Sequence, residues 1–319
     1  MKTNLAKYDA FLILFVKSLV ICLSFWFIYH RIFISQDFAQ FESAFKNAFL
    51  APTFFPLLSV VCILFLINWG TEAYKWKMII KKLQIISFPQ SFKAVFSGIT
   101  VGLFTPNRVG EYGGRIIYLN RSNRTNAVVI AIAGNLSQLL TTLVFGILGV
   151  IFYYLYFSQL NIGFISLVLL LIIPICFFLF FNIRKIPVLF GSKIEKYLRA
   201  FAFFSNLELI KLVFLSTLRY LMFFLQFYIL LLIFKIEIQI LDALVLLPVI
   251  FLVISVIPTF ALVEWGVRGS AALFFVGAVS SNSAGILAAA TMLWLINIAF
   301  PALLGVMFIA NHKLSINEY

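Results

Sequence analysis

The sequence predicts an all-α, polytopic membrane protein. Three observations carry that expectation. Of 319 residues, 63% are hydrophobic and only 11% charged; six apolar runs are long enough to cross a bilayer; two further apolar regions are interrupted by polar, helix-breaking residues. Soluble domains carry about 25% charged residues and have apolar runs too short to span. The 39 phenylalanines suit a surface that faces lipid.

A spanning helix needs about 20 mainly apolar residues. Residues 10–30, 52–74, 127–157, 162–181, 210–234 and 284–310 meet that requirement. The first run follows Lys2 and Lys7 and has no small-residue cleavage site after it, so it reads as a retained span, with Lys17 snorkelling. Residues 38–49 place Phe38, Phe41, Phe45 and Phe49 on one helical face, which suggests a helix lying on the outer surface. Residues 192–204 mix Lys193, Lys196 and Arg199 with apolar residues, a pattern suited to an anionic leaflet.

The two broken regions are 92–119, interrupted by TPNRVGEYGGR at 105–115, and 241–278, interrupted between Pro258 and Arg268. Residues 94–104 would make a helix only about 16 Å long, half of a ~30 Å hydrocarbon core. One straight helix through 92–119 would instead carry Arg108, Glu111 and Arg115 into the bilayer, at roughly 8–10 kcal/mol before pairing. A re-entrant hairpin avoids this. It also keeps Lys75, Lys77, Lys81, Lys82, Arg121, Arg124, Arg184 and Lys185 on one side, as the positive-inside rule favours. The resulting topology is six full spans plus two re-entrant helical hairpins, with both termini cytoplasmic. Residues 52–157 and 207–311 then become inverted repeats within one integral membrane domain, 1–319. Paired broken helices in inverted repeats are an architecture of secondary transporters.

The net charge of +13 sits beside apolar runs, where it meets lipid headgroups; no basic domain exists for nucleic acid. Cys22, Cys62 and Cys176 lie in separate runs, and His30 and His312 stand alone, so neither a metal nor a disulfide is expected. No cofactor motif and no catalytic constellation is present, so an enzyme is not expected.

Arg108, Glu111 and Arg115 are the first candidate site. Their spacing lets Glu111 pair with both arginines on a helix, and a helix starting near Val109 would offer N–H groups to a phosphate. Gly110, Gly113 and Gly114 permit close backbone approach. Glu264 and Arg268, four apart, form the second cluster, in which Arg268 would face Arg108 and Arg115 and share an anion. The alternative for both clusters is charge pairing without a ligand. Asn135 and Gln138 could line a cavity; Glu72 and Lys75 read as a helix-end belt; Arg219 needs a partner such as Glu208 or a lipid phosphate.

Pro106, Arg108, Gly110, Glu111 and Arg115, followed by an apolar run, resemble the first signature of the transmembrane-region family of lysylphosphatidylglycerol synthases and flippases. Pro258, Gly266, Val267 and Arg268 resemble its second. Here Glu264 precedes the arginine where the family often has an acidic residue after it. Gly134, Asn135 and Gln138 stand where members often carry charges. The resemblance implies the translocating half of such proteins without an aminoacyl-transfer domain, in a bacterial cytoplasmic membrane. The expected activity is transport of a lipid or lipid-linked anionic headgroup, its phosphate held by Arg108, Arg115 and Arg268. The expected partners are membrane lipids, either anionic phospholipid or lipid-linked phosphate. Group transfer to a lipid carrier and a non-transporting accessory role are the alternatives.

Overall fold

The computed structural model describes residues 38–105, 108–157, 163–182, 203–257 and 261–311. The expected span at 10–30, Pro106, Pro258 and the basic stretch 192–202 lie outside the described residues. Among the described residues all regular structure is helical. In order the helices are α1 (Phe38–Phe49), α2 (Phe54–Ile80), α3 (Phe88–Leu103), α4 (Gly110–Ile116), α5 (Arg121–Phe157), α6 (Gly163–Asn182), α7 (Asn206–Ile233), α8 (Ile240–Val256), α9 (Ala261–Val276), α10 (Ser283–Trp294) and α11 (Phe300–Ala310). A π-helical turn, Leu295–Ala299, joins α10 to α11, just before Pro301 removes an N–H from the ladder.

Five of these segments are long and apolar enough to cross a membrane: Phe54–Ile80, Arg121–Phe157, Gly163–Asn182, Asn206–Ile233 and Ser283–Ala310. They coincide with the five expected spans that fall within the described residues. The chain is thus an all-helical, multi-span membrane protein. Helix α6 is the most apolar and the least buried of the five, and it packs along α5.

Helix α3 starts where the Ser87 hydroxyl accepts from the Gln90 N–H and Pro89 occupies the first turn. It ends at Leu103, and the chain turns back into α4. The turn is built by Thr105, whose Oγ1 accepts from the Gly110 N–H at 2.8 Å, and by Arg108 in the left-handed region at φ 57°. The two arms run antiparallel and almost touch. A Cβ on Gly114 would clash with the Ser97 carbonyl oxygen, and one on Gly98 would meet Arg115 and the Glu111 carbonyl at 2.8 Å. Gly113 has open space around it, so of the expected glycines it plays no part in this approach.

Helices α8 and α9 pack on each other as the second broken element. Helix α8 lies along α5, where Gly146 faces Leu252 and Gly149 faces Pro248. Helix α3 lies along α11, where Gly305 abuts the Phe96 carbonyl and Thr100 donates to the Ala302 carbonyl at 2.7 Å. Small residues allow such approach where no hydrophobic force separates helix from lipid. Helices α2 and α7 pack along each other through the middle.

One expectation for the outer region changes. Two of the four phenylalanines of α1 do not lie free on a surface: Phe41 and Phe45 pack on the protein core, and Phe45 meets Phe234 edge-on at 4.9 Å, whereas Phe49 is exposed. The protein supplies the apolar partner a bilayer would otherwise provide.

Candidate functional site

The site begins on α2. Asn68, Trp69, Glu72, Lys75 and Trp76 recur at helical spacing and are all buried. The sequence reading ended this span at residue 74, leaving Glu72 and Lys75 as a belt at its tip. The helix in fact runs on to Ile80, which places Glu72 two turns inside it, 2% exposed. A carboxylate that deep must be paired. Oε1 of Glu72 accepts from Arg115 Nη1 at 2.7 Å, and Oε2 takes Lys75 Nζ at 3.0 Å together with Arg219 Nη1. Glu72 therefore ties α4 and α7 to α2.

Arg219 finds its partner here, not at Glu208. Its Nε also donates to Asn68 Oδ1 at 3.0 Å, and its guanidinium lies over the Trp69 ring. Glu208 instead closes a capping box with Ser205 at the start of α7 and pairs with Lys82 at 2.6 Å.

The expected bridging of Arg108 and Arg115 by Glu111 is not what forms. Among the described residues, Glu111 forms an ion pair with Arg115 alone. Arg108 precedes α4 on a left-handed turn, so helical i,i+3 geometry does not apply to it, and its Nη2 reaches Oε2 of Glu264 at 2.7 Å. Glu264 holds Arg268 through its other oxygen, also at 2.7 Å. Arg108 and Arg268 thus meet through a shared carboxylate, whereas Arg115 sits apart at Glu72. Nor is the start of α4 open to a ligand at Gly110, because Thr105 occupies that N–H.

Of the two amides, Asn135 donates to the Tyr112 hydroxyl and so ties α5 to α4. Gln138 accepts from Arg219 at 3.4 Å.

Between these clusters lies a cavity of about 220 Å³. Arg219, Arg268, Asn68, Gln138, Thr142 and Ser255 give it its polar wall; Tyr220, Phe223, Phe251 and Ile254 complete it. Arg268 is only 5% exposed, and its Nε and Nη1 have no hydrogen-bond partner among the described residues. Together the two clusters gather five cations, Lys75, Arg108, Arg115, Arg219 and Arg268, around three carboxylates, Glu72, Glu111 and Glu264. Two positive charges are left over, and two of the arginines border the cavity. Such a wall can hold an anion by charge-assisted hydrogen bonds.

Of the expected site residues, Arg268 and Gln138 line this cavity. Arg108, Glu111, Arg115 and Glu264 brace the elements around it, and Asn135 does so through Tyr112. Sequence reasoning missed Glu72, Lys75 and Asn68 as members of the network. The available signal was their shared helical face with Trp69 and Trp76, at i, i+4 and i+7.

No curated protein matches the chain significantly. The lysylphosphatidylglycerol synthase TM region, however, matches residues 13–305, nearly the whole length, with both arginine-bearing broken elements inside the match. On that match the chain belongs to the family of the lysylphosphatidylglycerol synthase transmembrane region.

Proposed function

We propose that the protein moves a lipid or lipid-linked anionic headgroup across the bacterial cytoplasmic membrane, with the phosphate bound in the cavity between Arg219 and Arg268. The observation that carries this reading is Arg268, a buried guanidinium lining the cavity, whose Nε and Nη1 nitrogens find no hydrogen-bond partner among the described residues. Leaving such donors unmet is costly in a low-dielectric interior, and a phosphate oxygen satisfies them. The two surplus positive charges of the network match the charge of a phosphate monoester or a diester with a further acidic group.

In this reading α3–α4 and α8–α9 are re-entrant hairpins in inverted repeats. The pairing of helices supports it. The first arm of each hairpin packs on glycines of the last span of the other half, α3 on α11 at Gly305 and α8 on α5 at Gly146 and Gly149. Arg108 to Glu264 then joins the two hairpins, and release of that pair would open the cavity to alternate sides. Each of Glu72, Glu111 and Glu264 is held by guanidinium groups, which argues for transport without acid–base chemistry.

The test is headgroup translocation in proteoliposomes, using an anionic phospholipid with a reporter on its headgroup. The expected result is a loss of about tenfold or more in Arg219→Gln/Arg268→Gln. Wild-type rates in a correctly inserted double variant would remove the basis for the assignment.

A further inference from the structure

Next to the charged cavity lies a second, larger one of about 700 Å³ with an almost wholly apolar lining. Three helices line both. On α5, Gln138 and Thr142 line the charged cavity and Phe145 to Tyr156 the apolar one; on α8, Phe251 to Ser255 line the charged cavity and residues 240–248 the apolar one; on α7 the linings interleave, with Arg219 and Phe223 on the charged side and Leu221, Met222, Phe224 and Leu225 on the apolar side. Asn68 on α2 and Arg268 on α9 line the charged cavity only. Tyr220 belongs to both walls. Its ring is clamped by stacking on Phe145 at 4.7 Å and by an edge contact with Phe251. Its hydroxyl is buried and has no hydrogen-bond partner among the described residues.

We infer that the apolar groove holds one hydrocarbon chain of the same anionic lipid whose phosphate enters the Arg219/Arg268 cavity, with Tyr220 at the junction of head and chain. This rests on the phosphate reading above and narrows its ligand to a true lipid. Three features support that occupant. First, the groove follows α5 from Phe145 to Tyr156, about 16 Å, which is half of a ~30 Å hydrocarbon core and the depth of one leaflet. Second, Arg219 and Tyr220 stand at the middle of the 28-residue α7, so the groove runs from mid-depth toward one surface, ending near Asp242 in the first turn of α8. Third, its rim residues Phe152, Leu225, Leu241 and Leu244 are exposed, so a chain can enter sideways from the bilayer without leaving an apolar medium. Tyr220 lines both cavities, at the place where a lipid changes from polar to apolar, and a headgroup or ester oxygen that reached its hydroxyl would satisfy it.

The test uses the full chain in phosphatidylcholine nanodiscs doped with phosphatidate that carries a photoactivatable diazirine on one chain. Cross-links are mapped by mass spectrometry. Labelling of residues 148–156 and 221–225 is expected to exceed that of lipid-facing α6 by about fivefold or more. It should fall to the α6 level in Leu225→Trp/Leu244→Trp, which fills the groove from its exposed rim, and in Arg219→Gln/Arg268→Gln. Labelling no stronger than on α6, equal labelling by diazirine phosphatidylcholine, or labelling that survives loss of both arginines would overturn the inference. Glycerol 3-phosphate, a phosphate without a chain, separates this from the phosphate reading. Arginine-dependent thermal stabilisation by it, with unselective lipid labelling, would overturn the groove alone. Absence of arginine dependence for both probes would overturn both.

Discussion

Arg108 Nη2 and Glu264 Oε2 lie 2.7 Å apart although 156 residues separate them in the chain, and this pair joins the tip of α3–α4 to α9. If it is the closed state of a gate, holding it shut must stop transport. Arg108→Cys/Glu264→Cys bridged by a short bis-maleimide should lose headgroup translocation relative to the same double variant left unbridged. Unchanged transport in the bridged double variant would count against a gate at this position.

Glu72 pairs with three cations, so its removal should be the most damaging single charge change. Glu72→Gln leaves Lys75, Arg115 and Arg219 short of a counter-ion in a buried site. The expected cost is about 3–5 kcal/mol, read as lowered thermal stability in detergent. Glu111→Gln, which frees only one side of Arg115, should cost clearly less.

The glycines divide sharply by what surrounds them. Gly114→Leu and Gly305→Leu drive a side chain into backbone of the neighbouring helix and should cost at least about 1–3 kcal/mol each. Gly113→Ala enters open space within a helix and should be neutral or stabilising by roughly 0.5 kcal/mol. Thermal unfolding of the purified variants checks both signs.

Charge alone should not satisfy the cavity. Arg268→Lys keeps the positive charge but loses the planar fork, of which Nη2 holds Glu264. Its headgroup affinity should fall by about tenfold, with the protein still folded. Tyr220→Phe, which removes only the orphan hydroxyl, should give a smaller loss in the same binding assay.

The sequence by itself determined the class of protein and the places where helices break. Hydropathy marked all five spans within the described residues, because a bilayer imposes one length and one composition on whatever crosses it. The polar, glycine-rich stretch 105–115 marked where the apolar region breaks, and the spacing of Glu264 and Arg268 marked their pairing, since i,i+4 contacts are local. Only the tertiary structure decided which charges meet. Glu72 reads as a helix-end residue until α2 is seen to continue to Ile80 and α7 to bring Arg219 against it from 147 residues away. Arg108 reads as a partner of Glu111 until a left-handed turn points it to Glu264. Coulombic attraction has no preference for chain neighbours. Once helix packing has excluded water, a buried charge takes whichever opposite charge the fold carries to it, and spacing along the chain does not record that choice.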